Sequence, residues 1–234
     1  MRITKRQLYR PLYKKFLPLK KNIQTTNKIL KFNKLKWQKF QHSFSKNKKK
    51  KIYNPVSYFV SNFKNFYSKK FKYNLQNKQR LSLYYGKLRK SYLKRVVKLA
   101  LRESKRINMR ASILLVQKLE TRLDTILCRA HFCYSYYNAS QMISHKKIYV
   151  NDRLIQHKFF ELKKGDLITV DKSISTNVKS NILQSKMWPI PPKHLYINYK
   201  TLQILVVENI KYTNCFTYYQ FLIDFNSFIR YYTR

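Results

Sequence analysis

The apolar positions change period along the chain. Residues 1–75 show only weak periodicity, interrupted by Pro11, Pro18 and Pro55 and by the charge run Lys46–Lys51. That pattern predicts extended or short helical pieces that order only on binding. From Gln79 the pattern sharpens. Leu88, Tyr92, Val96 and Leu99 fall at i, i+4, i+8 and i+11, one face of a helix. Lys87, Lys90, Lys94, Lys98, Arg102 and Lys105 take the other side. A second helix is predicted over Ile113 to Ala130, carried by Val116, Leu119, Leu123, Ile126, Leu127 and Ala130. A third runs from Tyr136 to Ser144, with Ser135 as its N-cap.

The period then drops to two. Ile148 and Val150 flank Tyr149, Asn151-Asp152 forms a turn, and Arg153-Leu154-Ile155 resumes the strand. Lys164-Gly165-Asp166 is a second turn, before the strand Leu167 to Val170. Asp171 to Lys186 is polar and predicts a loop, and Trp188 to Pro192 is a stiff entry to the last section. Tyr196–Tyr199, Ile204–Val207 and Phe221–Phe225 read as further strands or short helices. The expectation is an α+β chain in four parts. They are a basic N-terminal extension (1–78), a basic helical segment (79–112), a small domain of two helices plus a short antiparallel β element (113–172), and a linker with a mixed C-terminal segment (173–234).

Charge turns this outline toward function. The chain has 234 residues and a formal net charge of +42. Residues 1–119 hold 35 Lys and Arg against one acid, Glu103; residues 120–234 hold 16 against 8. A chain so unbalanced repels itself and gains nothing in packing. A polyanion resolves this, because each cation that meets a phosphate releases condensed counterions. A nucleic-acid partner is therefore expected.

Other classes drop out. Two glycines, Gly86 and Gly165, cannot build a glycine-rich nucleotide loop. Cys128, Cys133 and Cys215 lack both a disulfide framework and zinc-ligand spacing, so buried free thiols and no metal or cofactor are expected. No apolar run reaches the roughly 18 residues of a membrane span, and there is no signal-peptide core. The basic, acid-free start suits a mitochondrial transit peptide, although the same composition continues for a hundred residues. Aromatics reach 16%. Base stacking is one reading, but an A/T-rich coding bias accounts for most of them.

Several residues are candidates for RNA contact. Arg122 and Arg129 lie seven apart on the predicted helix, about 10 Å along one face, a spacing that suits two phosphates. Asp124 is expected to orient a neighbouring group, with Arg122 reaching RNA or pairing with an acid. His145, Lys146 and Lys147 follow a helix end and suggest a phosphate-binding corner. Tyr136 and the face carrying Lys87, Lys90, Lys94, Lys98 and Arg102 complete the set. His131 and His157 have no partners suited to metal binding or nucleophilic catalysis.

The stretch Leu119 to Val170 resembles the RNA-binding domain of the small-subunit ribosomal protein four family. The matching pieces are Arg122-Leu-Asp124, Arg129 and Phe132, Ala139 with Met142-Ile-Ser-His145, Val150-Asn151 and Gly165-Asp166. The resemblance extends upstream to Gln79–Leu88 with its Tyr85-Gly86 pair, and loosely downstream through His194–Tyr199. Leu119–Asp124 and Ile143–Lys146 are most similar to mitochondrial members. Departures are Cys133 for a frequent Gly, Ser140 for Arg, Asn138 for Glu, and Asp152 for Gly or Lys. The resemblance implies a structural constituent of the mitochondrial small ribosomal subunit, in the matrix, ahead of a plastid location. It would bind and order small-subunit rRNA during assembly beside neighbouring ribosomal proteins, with no membrane and no small-molecule substrate. The competing classes are an RNA-modifying enzyme of the pseudouridine synthase type, which also carries Arg-Leu-Asp, and a ribosome-associated quality-control factor using the same domain.

Overall fold

The computed structural model describes residues 66–186, 189–208, 219 and 223–233, together with 19, 23, 35, 38, 39 and 42. The Lys46–Lys51 run, the three N-terminal prolines, Trp188 and Cys215 lie outside the described residues. The chain divides into two units, Met1–Tyr84 and Tyr85–Arg234.

In the first unit, helix α1 spans Phe66–Tyr84. It starts ten residues inside the stretch expected to be weakly structured, because no Pro or Gly interrupts residues 66–84. Leu81, Leu83 and Tyr84 are buried at its end.

The second unit opens on a tight bend in which Gly86 (φ +74) and Lys87 (φ +61) are both left-handed. Helix α2 (Lys90–Ile107) follows, burying Leu93, Val96, Val97 and Ala100. Its core face is thus centred about one position away from the expected one. Leu88 is buried ahead of the helix, and Tyr92 and Leu99 are only half-buried. α2 packs along α3 (Ala111–Glu120). The C-terminal α7 (Phe225–Thr233) packs against both through Phe225, Phe228, Ile229 and Tyr232. That spacing is one apolar stripe.

The helix expected over Ile113–Ala130 is two helices, α3 and α4 (Leu123–Arg129). Arg122 between them is extended and bridges antiparallel to Glu161. The break persists because the freed amides find partners elsewhere. Leu123 N–H donates to Phe160 O (2.9 Å), Asp124 N–H to Lys158 O (3.4 Å), and Leu162 N–H to Thr121 O (2.9 Å). Helix α5 (Tyr136–Ser144) has the expected bounds, and Ser135 Oγ accepts from Asn138 N–H at 3.2 Å.

Strands β1 (Ile148–Val150), β2 (Arg153–Leu154) and β3 (Leu167–Val170) match the period-two reading. Asn151 (φ +48) and Asp152 (φ +61) form a two-residue hairpin loop, left-handed at both positions. The expected polar loop at 171–186 is instead a 3₁₀ turn (Lys172–Ile174) running into α6 (Ser175–Ser185). Ile174, Val178 and Ile182, four apart, carry it onto the core. Three apolar residues among polar neighbours were too sparse a stripe to mark a helix.

The last section supplies two strands, β4 (Leu195–Asn198) and β5 (Gln203–Val206). They complete an antiparallel sheet of order β2-β1-β3-β5-β4. Inward residues Ile148, Val150, Ile168, Ile204, Val206 and Leu195 meet Leu123, Ile126, Leu127, Phe132, Ala139 and Ile143 in one core. The sheet of the small domain is thus built partly from beyond residue 172.

Candidate nucleic-acid interface

The fragments that carried the family resemblance converge in space. Gly86 lies against Tyr136: a Cβ added at Gly86 would stand 2.7 Å from Tyr136 Cβ. With φ at +74 as well, no other residue fits without strain. Tyr85 OH donates to Glu120 Oε1 at 2.5 Å and also pairs with Tyr219 OH. Asn151 and Asp166 join the two turns: Asn151 Nδ2 donates to Asp166 Oδ1 (2.9 Å), and Leu167 N–H donates to Asn151 Oδ1 (2.9 Å).

The two arginines on which phosphates were expected point inward. Arg129 donates through Nε (3.0 Å) and Nη2 (2.7 Å) to the two oxygens of Glu120, a bidentate pair buried at both ends. Burial pushes the Glu120 carboxyl up. The charge and hydrogen bonds of Arg129, with the Tyr85 hydroxyl, outweigh it and hold Glu120 below the ordinary carboxylate range.

Arg122 is 1% exposed, and its Nη2 donates to Asp124 Oδ2 at 2.5 Å. Its guanidinium carbon lies 4.6 Å from the Phe159 ring centre and 5.5 Å from that of Tyr92. Those rings stack on each other at 4.4 Å. Burial pushes the Asp124 carboxyl up, only partly opposed by Arg122. Arg122 also precedes α4 and Arg129 ends it, so the two do not form a row along one helix.

The remaining candidates reach the surface. Lys90, Lys94, Lys98 and Arg102 are exposed at four-residue intervals along α2, a basic stripe about 18 Å long. Lys87 is exposed at the bend before it, and Tyr136 is half-buried against Gly86.

At the end of α5, His145 and Lys146 are exposed and Lys147 is half-buried. The corner is a Schellman motif, in which Lys146 N–H donates to Ile143 O and Lys147 N–H to Met142 O, both at 3.1 Å. Lys146 takes the left-handed position (φ +59) that glycine usually fills. Lys147 Nζ is engaged by Asp171 Oδ2 (3.0 Å) and Ser173 Oγ (2.9 Å). With Ser173 as a further donor, these contacts draw the Asp171 carboxyl down to about 2.

Cys133 is buried and Cys128 half-buried, both free, and burial pushes both thiols up. His131 bonds the Pro189 carbonyl oxygen at 2.7 Å. Among the described residues no helix is long and apolar enough to cross a membrane.

Sequence reasoning passed over Glu120, whose one acid satisfies both Arg129 and Tyr85. It also passed over Arg95 and the Lys158-Phe159-Phe160 segment. The signal for the latter was two adjacent aromatics beside a lysine in a stretch that is neither strand nor helix.

The S4 domain family model matches residues 121–168. Small ribosomal subunit protein uS4m of Marchantia polymorpha is 33% identical over 141 residues, covering 58% of this chain and 68% of that protein. Small ribosomal subunit protein uS4m of Reclinomonas americana is 26% identical over 196 residues, 76% of this chain and 74% of that protein. Small ribosomal subunit protein uS4c of Chlorokybus atmophyticus is 35% identical over 133 residues, 56% of this chain and 63% of that protein.

Proposed function

The chain belongs to the small ribosomal subunit protein uS4 family, and we infer from this that it is a structural constituent of the mitochondrial small ribosomal subunit that binds small-subunit rRNA. The observation that carries the RNA-binding surface is the exposed stripe Lys90, Lys94, Lys98, Arg102, set opposite the buried face Leu93, Val96, Val97, Ala100. One side of α2 is committed to the core, which leaves the other for phosphates.

His145, Lys146 and Lys87 extend this surface. Arg122 and Arg129 serve it indirectly, by fixing α4 against the 158–161 segment and against Glu120. Residues 1–78 act as a basic extension along rRNA, which removes the self-repulsion of their charge. Contacts of this kind position the protein by backbone and shape, the usual mode for folded RNA.

We assign the protein no reaction. The Asp124 carboxylate, the group a pseudouridine synthase reading requires, is buried and bound by Arg122. The ribosomal reading is tested by sedimenting a mitochondrial extract in high salt. Stoichiometric cosedimentation with small subunits is expected; a light-fraction or substoichiometric pool overturns it in favour of a free factor.

A further inference from the structure

Between α5, the 156–160 segment and Arg95 of α2 lies an open pocket of about 490 Å³. Its lining includes Arg95, Ser140, Ser144, Gln156, Lys158 and Phe160. The contents fall into three kinds. Arg95 and Lys158 are exposed cations, suited to a phosphate. The Ser140 and Ser144 hydroxyls and the Gln156 amide offer donors and acceptors in fixed directions. Phe160 is a 37%-exposed aromatic residue, and Phe159 beside it is braced by Tyr92 and Arg122.

Two of the lining residues are anchored through their backbone. The carbonyls of Lys158 and Phe160 accept the first amides of α4, so the 158–160 backbone is held by helix ends. The pocket also lies between the two basic surfaces already described, since Arg95 belongs to α2 and Ser144 immediately precedes His145.

We propose that this pocket receives one unpaired nucleotide of the bound RNA, turned out of its helix. The base stacks on Phe160, its edge meets Gln156 and the two serines, and its phosphate meets Arg95 and Lys158. A paired duplex offers its phosphates to Arg95 and Lys158 but no ring to Phe160, because its base faces are hidden; an unstacked base offers a π-face and free edges. The volume lies within the range that takes small ligands. Ser140, a small side chain on the pocket wall, leaves this space open. The proposal rests on the RNA-binding reading above and adds a position-specific contact to it.

The test uses the full chain and two synthetic RNA hairpins, identical except that one carries a single bulged 2-aminopurine. Wild type should bind the bulged hairpin more tightly by roughly 5- to 150-fold, the stacking contribution of one base, with the fluorophore quenched. Phe160→Ala and Gln156→Ala should shrink that preference and the quenching, while leaving affinity for the paired hairpin unchanged and, for the exposed Gln156, the melting temperature as well. Equal binding of both hairpins by wild type overturns the pocket and leaves the ribosomal reading standing. So does a bulge preference that survives both substitutions with quenching intact. Displacement of the bulge by adenosine monophosphate at the concentration of the hairpin also overturns it, since that identifies a free-nucleotide site. Failure to bind either hairpin overturns both readings.

Discussion

Lys147 Nζ stands 3.0 Å from Asp171 Oδ2, tying the corner after α5 to the residue that follows β3. The pair holds the helix-to-strand corner closed and takes one ammonium away from the surface proposed to face RNA. Asp171→Asn should release it. Log affinity for an rRNA fragment should then fall more steeply with log salt, by about 0.7 to 0.9 for one added phosphate contact. A salt titration of both proteins reads this directly. The pair itself should resist acid. A carboxyl held at about 2, against roughly 3.9 unfolded, contributes fully above pH 4 and is lost only as pH falls through 2.

Lys146 has the opposite character. It is exposed and sits at φ +59, where a side chain costs energy. Lys146→Gly should stabilise the fold by up to about 1 kcal/mol and flatten the salt slope by about 0.7 to 0.9. Lys146→Ala should flatten the slope equally without the gain. Urea denaturation together with the salt titration separates the two effects. An unchanged slope in both variants would remove Lys146 from the RNA surface.

The Glu120–Arg129 pair predicts stability without binding. Arg129→Met leaves a buried carboxylate without its counter-charge, though still bonded by Tyr85, and should cost about 3 to 5 kcal/mol. Adding Glu120→Gln should recover much of that loss. Since Glu120 is held below its unfolded pKa, its contribution is full above the ordinary carboxylate range and lost as pH falls below it. Denaturant melts of the single and double variants between pH 7 and 3 test both statements. If Arg129→Met instead leaves stability intact while weakening RNA affinity, Arg129 is a contact residue after all.

A fragment ending at residue 172 should fail to fold cooperatively. It contains the whole family-model match at 121–168, yet it lacks α6, β4 and β5. Ile204 and Val206 would be missing from the core, and β3 would expose its ladder from Leu167 to Thr169. Amide exchange should be fast throughout such a fragment, and protected at Ile148–Val150 and Ile168 in the full chain.

The outline was legible where pattern and local chemistry agreed. Ser135 before an apolar run fixed α5, and Asn151-Asp152 between alternating residues fixed the first hairpin. The break at Arg122 was not legible, because the amides it frees are satisfied by carbonyls almost forty residues later. Charge alone could not sort the cations. Arg129 and Lys98 look alike in sequence, and only the placement of Glu120 turns one inward while the other stays in water.

The order of the sheet sets a timetable for the protein's own synthesis. β5 lies between β3 and β4, so the ladder is finished only when residues near 206 have emerged. The basic helix α2 has by then been outside for roughly 100 residues, on the order of 5–20 s of elongation. Throughout that interval the nascent chain displays its cations while its apolar interior is still open. The charged face is thus complete in the growing chain well before the strands that close the interior behind it.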